Sequence, residues 1–272
     1  MLGYYVPYGW ILKTRLGKFT FVNAVSFFMN YMFPSAYFVF LYQPIGMETI
    51  LVYLLAFTGM FVLYECGYIF NDLVTTQFED APTERIPKTQ LRQFLRRLES
   101  LLALRSVIFL GVTWYLFHVR GKMALSYLAL GGILVIGYAL HNFYRGPVNR
   151  LTVALLFSCK FVMPLAAFLN VMDIVHLYPL LFITSILEQV LFYREKMEYG
   201  RDAFRLIYDV GVFCVVALFV LFDIYPVSYL GFSSLLLAFR GGGFYAMRHS
   251  YILKAVESRR YMNELKAEAD DN

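Results

Sequence analysis

The sequence predicts an all-α fold, a polytopic membrane protein built as a helical bundle of about eight transmembrane helices. The chain is 60% hydrophobic and its mean hydropathy is +0.58, an apolar share above that of soluble domains. Runs of about 20 apolar residues recur, and each is long enough to cross roughly 30 Å of hydrocarbon. These runs are apolar all round and lack the alternation of a membrane β-barrel, so we expect helices.

Each predicted span is an apolar run, and charged residues mark most of its boundaries. The first run is too long for the apolar core of a signal peptide, and the second ends at Phe70, before an acidic cluster. Arg120 and Lys122 separate the third run from the fourth, the fifth carries Lys160, and a second acidic cluster overlaps the end of the sixth. The last two runs form a pair, of which the final one is interrupted at residues 240–243. The spans lie near residues 19–42, 48–71, 100–118, 123–142, 151–171, 176–193, 207–224 and 227–247.

The charges of the connecting segments predict the orientation of the bundle. With the N-terminus in the cytoplasm, the inside segments hold 20 of the 24 Lys and Arg residues, and the outside connections hold only Arg120 and Lys122. This asymmetry follows the positive-inside rule. The net charge of +5 belongs to these loops, and no nucleic-acid motif accompanies it, so no nucleic-acid partner is expected. We expect an integral protein of a bacterial inner membrane, with both acidic clusters on the cytoplasmic side.

The two acidic clusters are the strongest indication of function. One comprises residues 71–80 and the other residues 188–195, and each lies at the end of a predicted span. Carboxylates at the bilayer boundary are costly and are usually functional. Oxygen-only clusters suit Mg²⁺, which prefers carboxylates, water and phosphate oxygens. The clusters therefore indicate a substrate with a pyrophosphate head and a hydrocarbon tail; the alternative is that the first begins a solvated loop and Glu188 pairs with a basic neighbour.

Within each cluster the oxygen-bearing side chains are spaced to share one face of a helix. Asp72, Thr75 and Glu79 stand at positions i, i+3 and i+7, and Glu188 and Glu195 are one heptad apart. On helices these spacings present oxygens from two helix ends toward one cavity. The pattern predicts that Asp72, Glu79, Glu188 and Glu195 bind Mg²⁺, which neutralises a diphosphate.

The first cluster carries a family resemblance. Asn71-Asp72-x-x-Thr75-x-x-x-Glu79 resembles the NDxxDxxxD motif of the UbiA superfamily of intramembrane prenyltransferases. As in that family, the motif follows the second predicted span. The chain departs from the family pattern by a threonine at Thr75 and a glutamate at Glu79, where the family has aspartates.

The second cluster and one loop extend the resemblance over most of the chain. The segment Glu188–Glu195, followed by Lys196, is similar to the second UbiA motif, DxxYAxxD, and lies after the sixth predicted span. The basic stretch Arg145–Arg150 stands where the family has a basic loop between its fourth and fifth helices. The family fold has nine helices around a central cavity, whereas eight spans are counted in this sequence.

The resemblance implies a membrane-embedded UbiA-like domain over residues 1–272, with a short charged tail at 248–272. It implies Mg²⁺-dependent transfer of a prenyl group from a prenyl diphosphate to an unidentified acceptor within the membrane, with Asp72 and Glu188 as catalytic residues. Two alternatives stay open: a UbiA-type membrane terpene cyclase and a non-catalytic polyprenyl-lipid binder. The expected substrate-binding residues are Asn71, Thr75, Lys88, Arg145, Lys196 and Lys160.

Basic side chains are needed to hold the diphosphate, since guanidinium and ammonium groups bind phosphate oxygens. Lys88, Arg145 and Lys196 are favoured over Arg85, because they flank the motifs or lie in the matching loop.

Lys160 differs from these residues because it lies near the middle of the fifth span. An ammonium group there costs about 2.5–3.5 kcal/mol on insertion scales, so it should face an interior cavity or an acid. Glu65, which also lies within a span, is the expected partner. A structural pair and a substrate contact both stay open for Lys160.

Overall fold

A computed structural model describes residues 2–14, 24–25, 27–78, 85–144, 148–187, 190, 199–242 and 245. Among these residues every regular element is a helix and none is a strand. The all-α class is therefore confirmed for this part of the chain. The chain divides into two compact units, Met1–Tyr193 and Arg194–Asn272, and the single domain stays a prediction. The charged tail at 248–272 lies outside the described residues.

The helices are labelled in chain order. Four short turns of other helix types lie next to α-helices. A 3₁₀ turn at Leu2–Tyr4 and a π-helical turn at Phe28–Met32 precede α-helices, and a 3₁₀ turn at Thr75–Phe78 and a π-helical turn at Phe182–Ile186 follow them. The α-helices are α1 (Gly9–Thr14), α2 (Phe33–Tyr42), α3 (Met47–Leu73), α4 (Lys88–Leu95), α5 (Leu98–Arg120), α6 (Met123–Phe143), α7 (Val148–Ala166), α8 (Val171–Leu181), α9 (Tyr199–Leu221) and α10 (residues 227–242).

Four helical segments of the described chain are long and apolar enough to cross a membrane. They correspond to the second to fifth predicted spans, and by length and composition they are consistent with a polytopic membrane protein. Two further apolar helices, Val171–Ile186 and Ile207–Leu221, are shorter. The count of about eight therefore stays a prediction. The four long segments are Met47–Phe78, Leu98–Arg120, Met123–Phe143 and Asn149–Ala166.

Helix α3 packs against α5, α6 and α7, and glycines set its distance from two of them. Gly59 lies under the Tyr127 hydroxyl of α6 and Val112 of α5, and Gly67 lies under the Tyr138 ring of α6. Small residues at these crossings let helix backbones approach closely, which is how membrane helices gain packing energy without a hydrophobic driving force. The large side chains of the neighbours fill the space that the glycines leave.

The N-terminal segment, residues 2–14, is buried at its middle, at residues 9–11. Trp10 and Ile11 are almost fully buried, and Trp10 packs with Ile69 and Leu73 of α3 and Phe94 of α4. The backbone turns sharply before α1, where Tyr8 has a φ of 66°. Irregular backbone beside a spanning helix is tolerated where protein covers it. No buried residues are predicted ahead of the first span, so the burial of residues 9–11 is a finding of the structure.

Candidate functional site

Asp72 lies in the last turn of α3, where it is 5% exposed. The Trp10 indole Nε1–H donates to Asp72 Oδ2 at 2.9 Å. The Arg85 guanidinium donates from Nη1 to Asp72 Oδ1 at 3.1 Å. A charge-assisted bond of this kind is about twice as strong as a neutral one. The buried carboxylate thus accepts from a neutral donor and from a cation, and the Arg85 side chain is 29% exposed.

Helix α3 ends at Leu73, and this overturns the expected geometry of the first motif. Thr75 begins a 3₁₀ turn, so Asp72 and Thr75 do not continue along one α-helical face. The Thr76 hydroxyl donates to the Asp72 carbonyl, and the Gln77 amide donates to the Leu73 carbonyl. These bonds satisfy carbonyls that a helix end leaves open. No glycine or proline marks this end in the sequence, and the side-chain caps explain why the α-helix stops.

Two further motif residues stand beside Asp72. Thr75 Oγ1 is buried and has no hydrogen-bond partner, although buried polar atoms are normally paired. Asn71 is half-buried on α3. An orphaned hydroxyl three residues from a buried carboxylate is a feature that a bound ligand atom or water would satisfy.

The remaining predicted site residues are not tested by the geometry. Glu79, Arg145, Glu188, Glu195 and Lys196 lie outside the described residues. Lys88 is the first residue of α4, and its side chain is not described. The meeting of the two acidic motifs therefore stays a prediction.

Glu65 does not pair with Lys160, and that expectation is wrong. Its partner is Arg105 of α5, which donates to Glu65 Oε2 from Nη2 at 3.2 Å and from Nε at 3.3 Å. Both side chains are completely buried. A buried ion of one sign requires a partner of the other, and the helix crossing brings Arg105, rather than Lys160, to Glu65.

The Glu65 carboxylate also anchors the N-terminal segment. It accepts the backbone N–H groups of Tyr8, Trp10 and Ile11 at 3.0–3.1 Å. These donors belong to the open N-terminal end of α1, where a carboxylate is favourable. Arg105 ties the same segment from its other side by donating to the Tyr4 carbonyl at 3.0 Å.

Lys160 is 1% exposed and its ammonium lies among aromatic rings. Nζ is 4.0 Å from the ring centre of Tyr31, 4.3 Å from that of Phe157 and 4.4 Å from that of Phe161. It also donates to the Asn30 carbonyl at 3.2 Å, in the π-helical turn before α2. Cation–π contacts strengthen when the cation is desolvated, so these rings stabilise a charge that the membrane interior disfavours.

A stripe of contacting aromatic rings, stacked as far as Tyr64 and edge-on between Tyr64 and Tyr68, follows α3 toward Asp72. Neighbouring ring centres along the stripe lie 5.2–6.3 Å apart, the usual spacing of aromatic pairs. Such a wall suits a hydrocarbon chain and also stabilises a cation that passes over it. The rings belong to Tyr53, Phe57, Phe61, Tyr64 and Tyr68.

An apolar cavity of about 550 Å³ lies between α2 and α3. Its walls include Tyr37 and Phe40 of α2 and Ile50 and Leu54 of α3. This volume is within the range of small-molecule sites. Tyr53 contributes both to this cavity and to the aromatic stripe.

The predicted Mg²⁺ needs oxygen-bearing side chains that lie close together. Among them, no group of three or more His, Cys, Asp or Glu side chains is placed to hold a metal ion. Mg²⁺ needs fewer protein ligands, because it is commonly bound by one or two carboxylates with waters and substrate phosphates. Asp72 with the orphaned Thr75 hydroxyl fits that role.

Sequence reasoning gave no role at this site to Trp10 or Arg105, and it named Arg85 as a candidate for diphosphate binding without favouring it. Arg85 was ranked below Lys88, although Arg85-Ile86-Pro87 is the nearest match to an Arg-Pro pair that follows the first UbiA motif. Arg105 and Glu65 are both charged residues inside spans, and opposite charges there usually pair. No local signal links Trp10 to Asp72, since 62 residues separate them.

No protein-family model, curated protein or solved structure matches this chain. The resemblance to the UbiA superfamily rests on the two motifs and on their positions after the second and sixth predicted spans.

Proposed function

We propose that this protein is an intramembrane prenyltransferase of the UbiA type, which transfers a prenyl group from a prenyl diphosphate to an acceptor in a Mg²⁺-dependent reaction. The observation that carries the proposal is the ion pair between the buried Asp72 and the partly exposed Arg85 at the end of α3, beside the orphaned Thr75 hydroxyl. A carboxylate for a cation and a guanidinium for phosphate oxygens are the two groups that recognition of a metal-bound diphosphate requires.

The residues divide into two sets by role. The chain would hold Mg²⁺ through Asp72 and through three glutamates outside the described residues. When bound, Mg²⁺ supplies charge neutralisation that stabilises the departing diphosphate. Arg85 binds the diphosphate oxygens, with further basic residues from the loops. The three glutamates are Glu79, Glu188 and Glu195, and the further basic residues are Lys88, Arg145 and Lys196.

The aromatic stripe of α3 provides the other half of the substrate site. An isoprenoid tail is a branched hydrocarbon, and contacting rings run along α3 from Tyr53 at the apolar cavity to Tyr68, one turn before Asp72. The ring faces hold the tail, exclude water from the reacting carbon and stabilise positive charge that develops there. The basic connecting segments are predicted to lie on the cytoplasmic side of a bacterial membrane. In that orientation the head-group site faces the cytoplasm, where prenyl diphosphate arrives.

A non-catalytic polyprenyl-lipid binder is the second candidate, and one observation favours it. Asp72 is already engaged by both Trp10 and Arg85, so the carboxylate has a structural use without any metal. A binder of this kind holds the tail on the aromatic stripe and the head on Arg85. A terpene cyclase would use the same site and release a hydrocarbon or alcohol.

The test is substrate binding and product analysis with the full chain in lipid nanodiscs. We expect farnesyl or geranylgeranyl diphosphate to bind in a Mg²⁺-dependent manner, and a membrane extract to receive the prenyl group. Asp72→Asn should weaken Mg²⁺-dependent binding by more than the roughly 10- to 100-fold typical of an outer-shell change. The control is Asp223→Asn, because Asp223 is an exposed carboxylate with a φ of 55°, a conformation that asparagine tolerates.

The products separate the candidates. An acceptor-linked prenyl group identifies a transferase, a free hydrocarbon or alcohol identifies a cyclase, and unchanged diphosphate identifies a binder. Binding that is equal with and without Mg²⁺, and equal in both variants, contradicts the metal site.

A further inference from the structure

We propose that Trp10 is a positioning residue for the Asp72 site: its indole N–H fixes Asp72 Oδ2, so that Oδ1 is presented toward Arg85 and an arriving metal-bound diphosphate. This inference rests on the proposed function. It makes the buried N-terminal segment part of the head-group site rather than a connection ahead of the first span.

The Trp10 indole is held rigidly. It is 0% exposed, and its ring meets the rings of Tyr4 and Phe94 edge-on, each at 5.5 Å between centres. The Trp10 backbone N–H donates to Glu65 Oε1 at 3.0 Å. A donor fixed in this way cannot follow a carboxylate that rotates, so the orientation of Asp72 is set by Trp10.

The two Asp72 oxygens face different surroundings. Oδ2 meets the neutral indole at 2.9 Å in a buried position, and Oδ1 meets the half-buried Arg85 at 3.1 Å. Arg85 has a solvent-accessible side chain that can transfer its N–H groups to phosphate oxygens. The indole keeps Oδ2 satisfied during that exchange, so Oδ1 is the oxygen offered to a cation.

Outer-shell donors of this kind orient metal-binding carboxylates, and their loss typically weakens metal affinity by 10- to 100-fold. A neutral donor has an advantage over a second arginine, because it orients the carboxylate without cancelling its negative charge. The buried Glu65–Arg105 pair supplies the rigid support, since it binds both Tyr4 and Trp10.

The experiment compares Trp10→Phe with Trp114→Phe, because the chain contains only these two tryptophans. Trp114 lies on α5 and is 66% exposed, so its replacement is the matched control. Phenylalanine keeps an aromatic ring against Tyr4 and Phe94 but lacks the N–H. We expect the Mg²⁺ concentration needed for half-maximal binding of farnesyl diphosphate to rise about 10-fold or more in Trp10→Phe, and to stay unchanged in Trp114→Phe.

A second measurement uses Trp114→Phe as a single-tryptophan protein, so that all indole emission comes from Trp10. Mg²⁺ with inorganic pyrophosphate should shift this emission, because binding at Asp72, which accepts the indole N–H, changes the electrostatic environment of the Trp10 ring. This readout also serves if Trp10→Phe does not fold.

The outcomes are distinguishable. Equal Mg²⁺ dependence in wild type and folded Trp10→Phe overturns the positioning role and leaves the proposed function intact, as does Trp10 emission that ignores bound Mg²⁺–pyrophosphate. A lower Mg²⁺ requirement in Trp10→Phe also overturns it, since Trp10 would then compete with the metal. Wild-type protein that binds no Mg²⁺–diphosphate overturns the proposed function and this inference together.

Discussion

Three of the buried charged side chains in the first unit are stabilised by three different chemistries. Glu65 has a cation and three backbone N–H groups, Lys160 has aromatic ring faces and a carbonyl, and Asp72 has an indole and a half-exposed arginine. Glu65 and Lys160 are 0% and 1% exposed. The cation paired with Glu65 is completely buried, whereas the Arg85 side chain paired with Asp72 is 29% exposed, and this distinguishes a candidate ligand site from a structural ion pair.

The Glu65–Arg105 pair gives a prediction at the scale of single residues. Arg105→Met removes the cation and leaves a carboxylate buried beside α1. We expect the free energy of unfolding in mixed micelles to fall by about 3–5 kcal/mol, the usual cost of breaking a buried pair. Arg92→Met is the control, because Arg92 is exposed on α4 and should change stability by less than about 0.5 kcal/mol.

A double variant tests the cause of that loss. In Glu65→Gln with Arg105→Met, the amide oxygen still accepts backbone N–H groups but no uncompensated charge remains. We expect the double variant to be more stable than the sum of the two single effects predicts. Strictly additive losses would mean that Arg105 acts by packing alone.

At the scale of elements, the long helices were predictable and the short ones were not. The expected spans 48–71, 100–118 and 123–142 are α3, α5 and α6 to within two residues at each end, because apolar runs bounded by charges decide both ends. The expectation that one α-helical face runs from Asp72 through Thr75 was wrong, because α3 ends at Leu73, where Thr76 and Gln77 cap carbonyls of the last turn. The burial of residues 9–11 in α1 was missed, because their anchors Glu65 and Asp72 are more than 50 residues away.

The candidate site was predictable only in part, for the same reason. Asp72 was found because a carboxylate at the end of a long apolar run is conspicuous. Its partners depend on long-range packing that no local pattern encodes: Trp10 reaches it from the N-terminal segment and Arg85 from the loop before α4.

The glycines of α3 give a prediction at this scale. At Gly67 an added methyl group would overlap the ring of Tyr138, whereas at Gly132 of α6 it would meet no atom within 4 Å. We expect Gly67→Ala to push α6 away and to lower the free energy of unfolding by about 1–3 kcal/mol, as overpacking does. Gly132→Ala should be neutral or slightly stabilising. A neutral Gly67→Ala would contradict the close α3–α6 crossing.

At the scale of the whole molecule, the charge distribution of the connections predicts the orientation of the chain in a membrane. The connections predicted to lie inside carry 20 Lys and Arg residues, against two outside, and translocating such loops is strongly disfavoured. The Asp72 site belongs to the end of α3 that leads into the basic segment with Arg85 and α4. The orientation of the bundle therefore decides which cellular pool of diphosphate the site can meet.

Cysteine accessibility in whole cells tests this orientation. In a background where Cys66, Cys159 and Cys214 are replaced, we would introduce Gln93→Cys on α4 and Lys122→Cys after α5, both at exposed positions. Because the 23-residue α5 lies between these positions and is long enough to span the bilayer, a membrane-impermeant maleimide should label Lys122→Cys in intact cells. It should label Gln93→Cys only after permeabilisation. The reverse pattern would place Asp72 and Arg85 on the outer face, away from cytoplasmic prenyl diphosphate, and would remove the substrate from the proposed function while leaving the fold unchanged.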